Sequence, residues 1–169
     1  MITWSPFYNS SMTNGVEKSS LTYQYLEGIP DSSILNQTLD LYDTLFDDAR
    51  LDFFKQRIHE KQNVILVLCF DDRTLVGFKV GYRYNKNTLY SWVGGVAPKY
   101  RNKGIANHLI KIQHDWAKEK GYKKVRTKSM NRFKPMMVLN LKNGFDIVKI
   151  YTNDSSQTKI IFEKNLSNY

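Results

Sequence analysis

Thr88-Leu89-Tyr90-Ser91-Trp92-Val93-Gly94-Gly95-Val96, then Ala97-Pro98-Lys99-Tyr100, then Arg101-Asn102-Lys103-Gly104-Ile105-Ala106, is the stretch that organises the reading of this 169-residue chain. Its first nine residues read as a strand. Beyond Gly104, apolar residues recur at Ile105, Leu109, Ile112 and Trp116, which is one face of a helix. A Gly-containing turn therefore joins a strand end to a helix N-terminus. Such a junction aims unpaired backbone N–H groups and the positive end of a helix dipole at one point, which suits a phosphate or pyrophosphate. A Cβ at Gly104 would keep an anion from the backbone. Ala106 leaves the first turn open, and Arg101 and Lys103 add mobile positive charge. Ordinary strand–helix turns also use Gly. Neither G-x-x-x-x-G-K-[ST] nor G-x-G-x-x-G occurs.

Outward from this stretch the pattern is regular. Residues 1–20 are polar and read as an N-terminal extension, and residues 21–169 as one domain. Leu21–Ile29 reads as a strand. Asp31-Ser32-Ser33 offers N-caps to a helix striped by Leu35, Leu39, Tyr42 and Phe46. Asp47-Asp48 is expected to cap a second helix striped by Leu51, Phe54 and Ile58. Val64–Phe70 and Thr74–Tyr84 read as strands, and Asn85-Lys86-Asn87 turns the chain into Thr88–Val96. After the Ile105 helix, Lys120-Gly121 signals a C-cap. Lys124–Met130 is a strand, Pro135 to Asn143-Gly144 a short helix, and Phe145–Thr152 and Lys159–Glu163 a final hairpin. The order is β-α-α-β-β-β-α-β-α-β-β. A helix between Thr88–Val96 and Lys124–Met130 implies a parallel pair, and the hairpins imply antiparallel neighbours. The expected fold is α/β: a central mixed sheet of six to seven strands with helices on both faces. Paired glycines at Gly94-Gly95 mark a bulge or a close backbone approach.

Composition narrows the function classes. The chain is long enough for one proper core. Its one cysteine, Cys69, excludes an internal disulfide and fits a reducing, cytoplasmic compartment. The longest apolar run, Val64–Phe70, is too short to span a bilayer, and the N-terminus carries no signal-like run. No membrane partner is expected. No metal-ligand spacing is present. The net charge of +9 is unevenly placed: residues 99–134 hold twelve Lys/Arg against Asp115 and Glu119, while residues 1–60 hold nine Asp/Glu against four Lys/Arg. A polyphosphate ligand explains part of the basic block. Nucleic acid is a further alternative, but no nucleic-acid motif accompanies the charge.

Val96-x-Pro98-x-x-Arg101-x-x-Gly104-Ile105-Ala106 resembles the acyl-CoA signature of the GNAT superfamily of N-acetyltransferases. Asn131, Met136, Leu139 and Lys142-Asn143-Gly144-Phe145 resemble the closing block of the same family. The resemblance spans roughly residues 20 to 165 in element order. It implies a GNAT-type fold in which the motif strand splays from its parallel neighbour to admit a pantetheine arm. It also implies acetyl-CoA as co-substrate, with no metal. Val96 would then offer backbone contacts, Arg101, Asn102, Lys103, Gly104, Ile105 and Ala106 would hold the pyrophosphate, and Asn131 would reach the pantetheine side. Asn131 also reads as an ordinary turn residue.

The implied reaction is acetyl transfer to a primary amine by direct attack in a ternary complex, the acceptor being a small molecule or a peptide; a homodimer is left open. Many members carry a Tyr four residues before the closing Gly-Phe as the acid. Here that position is Asn140, which can donate a hydrogen bond to the thiol but has no usable pKa, unless it faces solvent. Tyr90 stands where some members carry a Glu base; with an ordinary pKa about 10 it is a poor base and would instead order a water. No carboxylate lies between Asp72 and Asp115. Trp92 reads either as acceptor-site lining or as packing. His59, His108 and His114 read as surface or half-buried residues. Asp43 and Asp47, near the connection of the first two helices, would attract a cationic amine; Asp47 also reads as a cap. The alternative is a module that binds acyl-CoA but turns it over weakly.

Overall fold

Alternation along the strand Ile65–Asp71 sets the layers. Ile65, Val67 and Cys69 pack into one core, and Leu66, Leu68 and Phe70 into another, so this strand is buried on both faces and reads as one apolar run. The computed structural model describes residues 8–9 and 21–166. The strands are β1 (Tyr8–Asn9), β2 (Leu21–Glu27), β3 (Ile65–Asp71), β4 (Thr74–Asn85), β5 (Thr88–Val96), β6 (Lys124–Met130), β7 (Asp146–Thr152) and β8 (Thr158–Asn165). The helices are α1 (Ser32–Leu45), α2 (Leu51–Glu60), α3 (Ile105–Glu119) and α4 (Lys134–Lys142). The seven expected strands form one mixed sheet, and two-residue β1 extends its β2 edge; the order is β1-β2-β3-β4-β5-β6-β8-β7. The rest of the expected N-terminal extension lies outside the described residues.

Every pairing is antiparallel except β5 with β6. Helices α1 and α2 cover one face, and α3 covers the other with Met137 of α4 against the same core. The α3 stripe is wider than the expected one: Ile110, Gln113, His114 and Ala117 are buried along with Ile105, Leu109 and Trp116. Trp116 Nε1 donates to Glu27 at 2.9 Å, tying α3 to the end of β2.

Two local expectations need correction. Asp31 does cap α1, its Oδ1 accepting from Ile34 N–H at 2.9 Å. Asp47 and Asp48 do not cap α2, which starts at Leu51 with Arg50 at the N-cap and no side-chain cap. Asp48 instead pairs with Arg132. The bulge in β5 is not at the glycines. The register jumps from Val80↔Val93 to Gly81↔Ser91, so Trp92 is the extra residue.

Gly94 and Gly95 remain paired with Lys79 and Phe78 and mark close approach instead. A Cβ at Gly94 would sit 2.8 Å from the Phe78 carbonyl oxygen and 3.2 Å from Lys79 Cα. At Gly95 it would meet Leu45 Cδ1 at 2.5 Å, the tip of a side chain that can rotate away. Gly94→Ala should therefore cost about 1–3 kcal/mol, as overpacking against fixed backbone does, and Gly95→Ala clearly less. Urea unfolding midpoints of the two variants check the ranking; equal midpoints would contradict it.

Candidate acyl-CoA site

Helix α3 begins without a cap. Gly104 holds the N-cap position at φ +80°, Asn102 lies at φ +62°, no side chain bonds the first-turn N–H groups, and no acidic residue sits in that turn. Nothing lies within 4 Å of where a Gly104 Cβ would be. Glycine is needed there for its backbone angle, and the space above it is open. The first intrahelical bond is His108 N to Gly104 O at 3.1 Å, so the N–H groups ahead of His108 are left without an intrahelical partner.

Beside this turn the sheet opens. β5 and β6 pair only at Thr88↔Lys124, Leu89↔Val125 and Tyr90↔Arg126. From there β5 stays with β4 up to Val96↔Gly77, while β6 stays with β8 up to Met130↔Lys159. The gap-side N–H and C=O groups of β5 beyond Tyr90 have no strand partner, which a buried backbone does not tolerate for nothing. The opening and the turn share one cleft of about 620 Å³. Its walls come from Leu45 and Phe46 at the end of α1, Phe78 and Lys79 on β4, Gly94 to Val96 on β5, the turn and first half of α3, and Arg132 to Leu139 leading into α4.

Of the expected acyl-CoA residues, Val96, Arg101, Asn102, Gly104, Ile105 and Ala106 line this cleft together. Arg101 Nε donates to the Val96 carbonyl at 3.2 Å, joining the turn to the strand end. Lys103 is exposed beside the turn with its ammonium 5.1 Å from the Tyr100 ring centre. Asn131 is exposed and off the cleft wall; its neighbours Arg132 and Phe133 stand there instead. Asn140 does not face solvent. It is buried in the last turn of α4, where its carbonyl accepts from Asn143 N–H and Phe145 N–H, and it is not part of the cleft wall. Trp92 and Tyr90 pack against the α1–α2 core, Trp92 with its ring centre 5.0 Å from that of Phe54. Burial pushes the Tyr90 hydroxyl up to about 12, so it stays protonated at neutral pH and cannot serve as the base. Asp43 and Asp47 are exposed, flanking the cleft-lining Leu45 and Phe46.

Three features escaped the sequence reading. The Asp48–Arg132 pair and the Phe46–Phe133 edge contact, ring centres 6.4 Å apart, link α1's end to the start of α4. His114 is buried rather than half-exposed; desolvation, with the charges of Lys164, Lys79 and Lys118, pushes its imidazole down to about 3. Lys79 lines the cleft at 7 % exposure, and among the described residues no side chain hydrogen-bonds or ion-pairs with its ammonium. Burial alone pushes it down to about 8. Period-two alternation from Gly77 and Gly81, which face α3, would have found its orientation.

A model of the acetyltransferase (GNAT) family matches residues 32–135. No curated protein sequence matches the chain. Among solved structures, a GNAT family acetyltransferase from Elizabethkingia anophelis with acetyl-CoA bound superposes with a TM-score of 0.67 at 22% identity, covering 85% of this chain and 97% of that one. The ribosomal-protein-S18-alanine N-acetyltransferase of Escherichia coli gives 0.70 at 13%, over 86% and 96%. An aminoglycoside 6'-N-acetyltransferase complexed with coenzyme A gives 0.69 at 15%, over 82% and 94%. At these identities the likeness is one of fold.

Two outcomes are expected. Gly104→Glu meets no neighbour, so beyond about 1–2 kcal/mol of backbone strain the fold should survive; its carboxylate would stand where phosphates are read to lie, and CoA binding by calorimetry should be lost. Lys79→Met should raise stability at pH 7 by about 2–3 kcal/mol, since the unfolded lysine binds its proton more tightly than the buried one. The sign follows: the parent is penalised below about pH 8 and recovers as pH rises toward 10.5. Denaturant midpoints of the two proteins should therefore converge with rising pH.

Proposed function

This chain belongs to the GNAT acetyltransferase family, and from that premise we propose that it moves an acetyl group from acetyl-CoA to a primary amine by direct attack in a ternary complex. The observation that carries the reading is the meeting of two unsatisfied backbone surfaces in one cleft: the uncapped α3 N-terminus and the β5 edge left by β6. The first suits a pyrophosphate. The second suits the amides of a pantetheine arm, which can complete the ladder of β5 as a strand would. Arg101 and Lys103 supply charge around the turn, and Val96 supplies backbone groups.

Direct attack is favoured because, among the described residues, no serine, threonine, cysteine or histidine lines the cleft to carry an acyl group. The one cysteine, Cys69, is fully buried on β3, and burial pushes its thiol up to about 11. With acyl donor and amine held together, much of the acceleration comes from positioning. Asp43 and Asp47 lend negative potential to a mostly basic protein beside the α1–α2 wall, which attracts a cationic acceptor before it loses its proton. Neither Asn140, buried off the cleft wall, nor Tyr90, fixed in its protonated form, is given a proton-transfer role; Tyr90 and Trp92 shape the strand end by packing.

The test is release of free CoA from acetyl-CoA across a panel of primary amines, small molecules and peptide N-termini. Intersecting initial-velocity lines are expected for the best acceptor; parallel lines would reveal a covalent acyl-enzyme. Asp43→Asn should raise KM for that acceptor about two- to fivefold without altering kcat, and added salt should weaken the parent in the same direction. A KM insensitive to both would remove the electrostatic role.

A further inference from the structure

We propose that Lys79 is the acid of this reaction: its ε-ammonium faces the inner end of the cleft and protonates the thiolate that departs from the acyl donor. The assignment rests on the acyl-CoA reading above and fills the role that Asn140 cannot take.

The geometry runs through one glycine. Gly77 and Gly81 on β4 face α3, since a Cβ on the first would meet Ile105 and Leu109 and on the second Gln113. Lys79, midway between them, projects to the same face. Its partner across the ladder is Gly94 on β5. With no side chain at Gly94, nothing on β5 blocks the four-carbon stem of Lys79 from passing beneath that strand. Lys79 lines the cleft together with Gly94, Gly95 and Val96, on the stretch of β5 that β6 has left. The assignment places the ammonium at the opening between β5 and β6, which the residue lines. On the same α3 side of the sheet are three buried polar side chains without partners: Ser91 Oγ, both amide atoms of Gln113, and His114 Nε2. Gln113 and His114 extend from the same α3 face that lines the cleft at Leu109 and Ile110.

A buried ammonium with no carboxylate is a costly arrangement for structure alone. It is well suited to meeting a negative charge that appears only during reaction. The step balances as follows. The amine nitrogen forms the bond to the carbonyl carbon, the C–S bond breaks with its electron pair on sulfur, and a Lys79 proton passes to sulfur to give the free thiol. The proton shed by the acylated nitrogen leaves to solvent, and Lys79 regains its own from solvent.

CoA bound to the parent protein, to Lys79→Met and to Lys79→Arg is titrated by the ultraviolet absorbance of its thiolate. In the parent and in K79R the bound thiol should ionise at roughly tenfold lower hydroxide activity than in K79M, because only a fixed cation beside sulfur favours the thiolate. The Kd for CoA should hold within about threefold in K79M while kcat falls about 100-fold, the lower end for loss of a general acid. K79M is expected to be the more stable protein, so its loss is not unfolding. A bound thiol that ionises alike in parent and K79M, or a kcat that survives K79M, overturns the assignment. A thiol titration that depends on Lys79 in a parent that acylates no amine upholds the Lys79–thiol contact and overturns the transfer reading instead.

Discussion

The parting of β5 from β6 after the Tyr90↔Arg126 pair is the constraint on which this molecule turns. An antiparallel neighbour would have closed the sheet along its whole length. A parallel neighbour reached through α3 is free to diverge, because each strand keeps a full partner on its other side. The Trp92 bulge lies two residues beyond the last shared pair and adds twist where the strands separate. The opening exposes backbone that must be satisfied, and α3 delivers a second set of unsatisfied N–H groups to the same place. Neither surface is a site by itself; their sharing one cleft makes it one.

The cleft's electrostatics follow from what is missing around it. No carboxylate occurs between Asp72 and Asp115, so β4, β5 and the first half of α3, which form most of the wall, bring only cations and neutral groups. This favours a polyanionic ligand and leaves Lys79 without a counter-ion. The acidic residues gather instead on α1 and its connection to α2, where Asp48 reaches across to Arg132. One wall is thereby basic and the other carries the negative charge, a division suited to an anionic donor and a cationic acceptor entering from different sides.

Buried polarity marks the same region from within. His114, Gln113 and Ser91 lie on the α3 side of the sheet, as Lys79 does, and among the described residues theirs are the fully buried side-chain N and O atoms that lack a partner. Stability would be served better by apolar residues at such positions. Their grouping on one side of the sheet, two of them on the helix whose Leu109 and Ile110 line the cleft, fits a place where polar chemistry takes place.

The sequence by itself determined the element order, the strand–Gly turn–helix junction and the polyphosphate-like charge around it, because period-two and period-3.6 patterns and a glycine before a helix are local properties. Arg101 and Gly104 to Ala106 were singled out for that reason and Val96 through the family resemblance, and all of them line the cleft. Tertiary structure decided the rest. Asp48 pairs with Arg132, 84 residues away, instead of capping α2, a partner that no local pattern shows. Asn140 and Asn131 hold motif-like positions in the chain yet stand off the cleft wall, since which face of a short helix or turn is buried depends on what packs against it. Lys79 looked like any strand lysine; only the pairing that sets it opposite Gly94, under a strand whose neighbour has left, makes it a buried and unpaired charge at the point where two backbones part.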